Sequence, residues 1–179
     1  MKSWDGCAAG ARNIFLRWLI AVAIAAISQN AAAAPKPGDV APAHIGTTLD
    51  GKPVLVTDFP GKVVIVSYWA TWCSFCIKEM AMLNAIQTAA SDRVQVVTVN
   101  IEPIHVFNKV SKSLSRFQIL LLYDPRGKGR DAYGVKGIPH MIIVGKDGRI
   151  DTVNIGYTEK DLDGLVNTIN RAMGAIPAA

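Results

Sequence analysis

The sequence predicts an α/β domain: a central mixed β-sheet flanked by helices on both faces, with an N-terminal β-hairpin extension. Three observations predict it. Apolar runs of strand character alternate with helical patterns over residues 63–123. A hairpin pattern and an amphipathic helix then close the chain. Two cysteines three positions apart, Cys73 and Cys76, stand where the first buried strand hands over to a helix. Alternating strands and helices followed by a hairpin and a helix give a sheet that must be covered on both faces.

In chain order, residues 1–33 read as a signal peptide or an N-terminal membrane anchor. Lys2, Arg12 and Arg17 supply positive charge, residues 18–27 form an apolar run, and the alanines at 31–33 offer a small-residue cleavage site. The apolar run is short against the roughly twenty residues of a membrane span. In either case residues 34–179 form a domain outside the cytoplasm, where disulfides persist. Residues 34–46 are rich in Pro and Gly and read as a linker, with His44 a solvated loop residue within it. Residues 47–56 read as a hairpin turning at Asp50-Gly51.

The β-branched run 63–66 predicts a buried strand. The helix after it carries Cys76, Met80, Leu83 and Gln87 at helical spacing, widened by Ile77, Ala81 and Ile86, and ends near Ser91. Residues 94–99 predict a strand covered on both faces. A turn at Glu102-Pro103-Ile104, a weak helix over 106–117, a strand over 119–123 and a short helical or irregular segment over 128–134 follow. Residues 141–144 and 150–155 form the late hairpin. Leu162, Leu165, Val166, Ile169 and Met173 mark the last helix, started by a capping-box-like pair, Thr158 and Asp161.

Composition excludes several classes. Half the residues are apolar, enough for a substantial core. Three cysteines are too few for a disulfide-stapled scaffold, and neither a second Cys-x-x-Cys nor a paired His spacing offers a zinc site. Without Lys2, Arg12, Arg17 and Asp5 the formal charge of +5 falls to a mild bias, which argues for no nucleic-acid partner. The informative feature is Cys73. A thiol at a helix N-terminus meets unpaired backbone N–H groups and the positive end of the helix dipole, which favour the thiolate that exchanges with disulfides. Cys73 is the expected nucleophile. Cys76, one turn in, is the buried resolving thiol.

The run from Trp69 through Cys73 to Cys76 after a valine-rich strand, the acid Glu79 three residues on, and the later Gly134-to-Pro139 segment resemble the thioredoxin superfamily. Within it they are most similar to the TlpA/ResA-like branch of tethered or secreted bacterial thiol–disulfide reductases. The resemblance spans residues 35–173. It implies a thioredoxin-like fold, a redox-active Cys73–Cys76 disulfide with no other cofactor, and a periplasmic or other extracytoplasmic place. It also implies a monomer that takes electrons from a membrane thiol donor and reduces a disulfide in an exported apoprotein, such as a cytochrome c or copper-site precursor.

For individual residues, the resemblance implies that Glu79 tunes the thiols and accepts a proton from Cys76. Ordinary thioredoxins keep an acid on the strand before the site; Ser67 stands there in this chain. Pro139 resembles the superfamily's cis-proline, which leaves the Ile138 backbone to pair with an extended substrate strand. Trp72 is a partly exposed platform beside Cys73. Three residues are expected to tune the redox couple. Ser74 and Phe75 replace a pair that in most relatives carries Pro, and Phe75 restores a donor toward the Cys73 sulfur. His140 would sit near the sulfurs and favour the thiolate or act as an acid. Two alternatives stand beside this reading: a copper-binding chaperone using Cys73, Cys76 and His140, or a disulfide oxidase or isomerase.

Overall fold

The computed structural model describes residues 33–157 and 162–174. Of the expected signal or anchor over residues 1–33, all but residue 33 lies outside the described residues, as do the pair Thr158 and Asp161 and the tail after residue 174. Seven strands, β1 (His44–Thr47), β2 (Pro53–Leu55), β3 (Val63–Trp69), β4 (Val94–Asn100), β5 (Leu120–Tyr123), β6 (His140–Val144) and β7 (Ile150–Ile155), form one sheet in the order β2-β1-β5-β4-β3-β6-β7. Four helices join them: α1 (Ser74–Ala89), α2 (Ile104–Leu114), α3 (Lys128–Ala132) and α4 (Leu162–Ala172).

β3, β4 and β5 run parallel and step across the sheet in one direction. Right-handed crossovers then place both connecting helices, α1 and α2, on the same face. That face holds one core, in which Cys76, Met80 and Leu83 of α1, Phe107 and Leu114 of α2, and Leu165 and Ile169 of α4 meet Val63, Ile65 and Trp69 of β3. The other face is built on Val64, Val66, Tyr68, Val97 and Ile142, and is closed by Ala41, Ile45, Val54 and Tyr133. The expected cover of helices on both faces is thus unequal. Among the described residues the second face has the five-residue α3 and the short 3-10 turn Val56–Asp58, and the N-terminal segment does the rest.

Two expectations need correction here. Residues 34–46 are not a linker: the Gly38 N–H donates to the Ile150 carbonyl at 2.8 Å, the Ala41 N–H donates to the Gly148 carbonyl at 2.9 Å, and Ile45 is fully buried. The Pro and Gly residues shape tight turns in a strap laid on the sheet. His44 lies on β1, half-buried, and burial followed by Lys128 pushes its imidazole below the ordinary value. Second, the core stripe of α1 is not widened by Ile77 and Ala81, which are exposed, but by Glu79, which is buried. Gln87 on the same stripe serves the sheet, accepting from the Val96 N–H at 2.6 Å where β5 has not yet begun to pair.

α3 approaches the sheet closely at Gly129. A Cβ built there would lie 2.3 Å from the Ile45 carbonyl oxygen and 2.8 Å from the Tyr68 hydroxyl, which itself donates to that carbonyl at 3.0 Å. Neither neighbour can yield without breaking that bond. Gly129→Ala is therefore expected to destabilise the domain by about 1–3 kcal/mol, the range for overpacking, measured by urea unfolding. A loss under about 0.5 kcal/mol, typical of open surface, would refute the tight contact.

Candidate active site

β3 ends at Trp69, a short loop follows, and α1 begins at Ser74 with Cys73 as its N-cap. Cys73 and Cys76 are joined in a disulfide. The Cys76 N–H donates to Cys73 Sγ at 3.2 Å, so a backbone group freed by the helix start faces the outer sulfur. Cys73 keeps 7% exposure and Cys76 only 1%. Reagents from solvent therefore reach Cys73 first.

The donor to Cys73 Sγ corrects the expectation for Phe75, since it comes from Cys76. A Pro at position 75 would leave that bond intact. What Phe75 adds is apolar surface: it is 57% exposed, and Trp72 on the other flank of Cys73 is 71% exposed. Ser74 is exposed and opens the first turn of α1.

Glu79 is 2% exposed. It lies one turn past Cys76 on the buried side of α1, and the Ser67 hydroxyl donates to its Oε2 at 2.5 Å. Burial raises its carboxyl to about 7, with the Ser67 bond pulling the other way. A carboxyl so placed is half ionised near neutral pH. Ser67, which sequence reasoning saw only as a missing acid, is the residue that holds the acid in place from the strand.

His140 does not join the sulfurs. It pairs with Tyr68 across β3 and with Ile155 across β7. Cross-strand partners share a face, and Tyr68 belongs to the core opposite α1. Burial lowers the imidazole below its ordinary value, so the ring is neutral at pH 7 and offers no cation to a thiolate. Both ring nitrogens are buried without a partner among the described residues. The copper ligand set of Cys73, Cys76 and His140 is therefore not assembled. Among the described residues no group of three or more His, Cys, Asp and Glu side chains could hold a metal.

The Ile138–Pro139 peptide bond is cis. Pro139 is buried, and its carbonyl accepts from the Gly156 N–H at 2.8 Å. Ile138 is half-buried and packs against the core that contains Cys73 and Cys76.

Sequence reasoning missed Glu102, read only as part of a turn. Its carboxylate accepts from the Thr71 N–H at 2.5 Å, the Thr71 hydroxyl at 3.0 Å and the Asn100 side-chain amide at 3.2 Å. The Asn100 side chain accepts in turn from the Glu102 N–H at 2.9 Å. This clamp fixes the loop two residues before Cys73. One signal pointed to it: an acid just past the carboxyl end of a parallel strand, where α/β sheets build their sites.

A disulfide with one accessible and one enclosed sulfur, on a helix N-terminus beside a cis-proline, is the site of a thiol–disulfide oxidoreductase on a thioredoxin-like fold. The chain belongs to the Redoxin family, whose model matches residues 36–169. It is 30% identical over 136 residues to the thiol-disulfide oxidoreductase ResA of Bacillus thuringiensis, covering 74% of this chain and 78% of that protein. A candidate thiol:disulfide interchange protein DsbE from Chlorobium tepidum superposes with a TM-score of 0.70 at 28% identity, covering 78% of this chain and 99% of that one. The exposed lipoprotein thioredoxin Etrx1 of Streptococcus pneumoniae gives 0.61 at 28% identity, covering 70% and 96%.

Buried Glu79 and half-buried Glu102 each give an expected outcome. The folded-state value of Glu79, raised from 4.5 to about 7, means that the stability of the oxidised protein is fullest below the unfolded value and falls as pH rises through the folded one. Glu79→Gln removes that loss, so the variant should gain stability over wild type at pH 8, by as much as about 3 kcal/mol, and gain far less at pH 4. Equal gains at both pH values in denaturant titrations would contradict a buried, titrating carboxyl. Glu102→Ala should release the Thr71 amide and speed its hydrogen exchange about tenfold or more; unchanged exchange would remove the clamp.

Proposed function

We propose that the protein is an extracytoplasmic reductase of protein disulfides, acting on exported apoproteins of the kind that receive haem c or copper, and recharged by a membrane dithiol donor. The observation that carries this reading is the pairing of an enclosed Cys76 with the buried, Ser67-bound Glu79 one helical turn away. Residues 1–33, read as an export signal or anchor, and the exposed lipoprotein thioredoxin among the structural relatives support the location.

In the reduced protein the Cys73 thiolate, favoured by the helix N-terminus, attacks one sulfur of the substrate disulfide. The S–S bond breaks, and the other substrate sulfur leaves with the electron pair. Glu79 then takes the proton of Cys76, and the Cys76 sulfur attacks Cys73 Sγ. The mixed disulfide breaks, the second substrate sulfur leaves as thiolate, and both released thiolates are protonated. Two electrons have passed to the substrate, and Cys73–Cys76 is a disulfide again. Glu79 suits the second step because a base close to operating pH is both available and able to release its proton afterwards. The cis-proline loop presents the Ile138 backbone to the substrate chain, beside Trp72.

Cys73→Ser should abolish reduction of a test disulfide, and Cys76→Ser should accumulate a covalent mixed disulfide visible on a non-reducing gel. Glu79→Gln should flatten the rise of resolution rate through pH 7 in stopped-flow measurements, with a loss of about 10²-fold or more at pH 8 if general-base transfer governs the step. Wild-type rates in Cys73→Ser would end the reading; an unaltered pH profile in Glu79→Gln would remove Glu79 from it.

A further inference from the structure

Beside the exposed face of Trp72 lies a cleft of about 300 Å³ whose walls include the side chains of Ile101, Val135 and Ile138. Its two charged lining residues are both cations, Arg130 and Lys136, and no carboxylate lines it. Arg130 has a weak counter-ion, Asp131, at 3.9 Å, which is exposed and outside the cleft. Lys136 is exposed and has no ion pair among the described residues. The nearby Glu102 carboxylate is occupied by Thr71 and Asn100. Along the same wall, Lys136, Gly137 and Ile138 lie outside any strand, and their backbone groups have no backbone partner among the described residues. A chain segment laid against them can pair as an added strand.

The geometry points to a substrate preference: this cleft selects an extended, disulfide-bearing segment that places a bulky apolar side chain beside its cysteine and a carboxylate two residues away. The inference rests on the reductase reading above and adds the substrate's chemistry to it. Successive residues in a strand rise about 3.3 Å and alternate faces, so a residue two places from one paired at Ile138 lies about 7 Å along, level with Lys136. The two side chains then fall on opposite faces of the added strand: the apolar neighbour turns to Trp72, Ile101 and Val135, and the long side chains of Lys136 and Arg130 reach the carboxylate across the rim. The exchange chemistry is unchanged: Cys73 attacks the substrate sulfur and the leaving sulfur departs with the bonding pair.

The test uses the full chain, reduced with dithiothreitol and desalted. Its probes are short extended peptides with one cysteine carried as a mixed disulfide with thionitrobenzoate and a leucine beside it. They differ only in Glu or Lys two residues before the cysteine in one pair and two residues after it in another. Release of the coloured thionitrobenzoate gives the rate, and uncharged hydroxyethyl disulfide tests the reductase activity separately. In one of the pairs the Glu peptide should react about fivefold faster than the Lys peptide, the scale of one exposed charge pair. The ratio should shrink in about 0.5 M salt, narrow in Arg130→Gln and invert in Lys136→Glu. Equal rates in both pairs with hydroxyethyl disulfide still reduced, or a Glu preference that Lys136→Glu leaves unmoved, would overturn the assignment to this cleft. Failure to reduce hydroxyethyl disulfide would instead overturn the reductase reading beneath it.

Discussion

Strand β3 is the constraint on which the rest of the molecule depends. All seven of its residues are buried, and it is hydrogen-bonded to β4 on one side and β6 on the other. Its alternation divides the protein: Val63, Ile65 and Trp69 feed one core, Val64, Val66 and Tyr68 the other. A strand held on both edges and both faces cannot slip by one residue without turning every side chain over. Its carboxyl end is therefore a fixed point. The cysteine loop grows directly from it, the Glu102 clamp comes from the end of β4 beside it, and the cis-proline immediately precedes β6 on its other side. Three separate stretches of sequence meet there because their strands are neighbours.

The same register explains the polar chemistry beneath α1. Ser67 shares its sheet face with Trp69 and, through the parallel pairing, with Thr98 on β4. Trp69 Nε1 and Thr98 Oγ1 are buried without partners among the described residues, while Ser67 is taken by Glu79. An ionised carboxylate in this place would have one hydroxyl donor against the loss of its hydration, and burial accordingly wins over the hydrogen bond in setting its proton affinity. The helix thus carries a group that changes charge in the pH range where thiols exchange. An acid on the solvent side of α1 could not do so.

Much of this was legible in the residues. The strand-to-helix handover at Cys73, the late hairpin and the alternation of elements were read from periodicity, because each is a local pattern with a local cause. What was not legible depends on how separate segments dock. Pro and Gly in residues 34–46 look the same in a loose linker and in a strap; only the bonds from Gly38 and Ala41 to the β7 turn tell them apart. The stripe of Cys76, Met80, Leu83 and Gln87 marked the buried face of α1, but apolar Ile77 and Ala81 drew its edge to the wrong flank, so the residues alone did not tell a buried Glu79 from a solvated one. His140 lies one residue past the cis-proline, but alternation along β6 carries its ring away from the sulfurs. Position in the chain gave its neighbourhood, and strand parity decided its face.

The exposed side chains around Cys73 then acquire a reason that the core does not supply. Trp72 and Phe75 leave large apolar surfaces in water next to the one sulfur that solvent can touch. Folding alone would favour polar residues at both positions, since neither side chain contributes to a core. Burying such surface against a partner is favourable by about 25 cal/mol per Å², and that gain is available only while the partner is docked. Apolar flanks of this kind suit a protein that must hold another chain through two successive sulfur exchanges and then let it go. In the proposed mechanism the enclosed Cys76 ends the encounter from inside, displacing the partner from Cys73 without being reached from solvent itself. On that mechanism, exposure on one side of the disulfide and enclosure on the other are two halves of one device: the first would gather the substrate, and the second would release it.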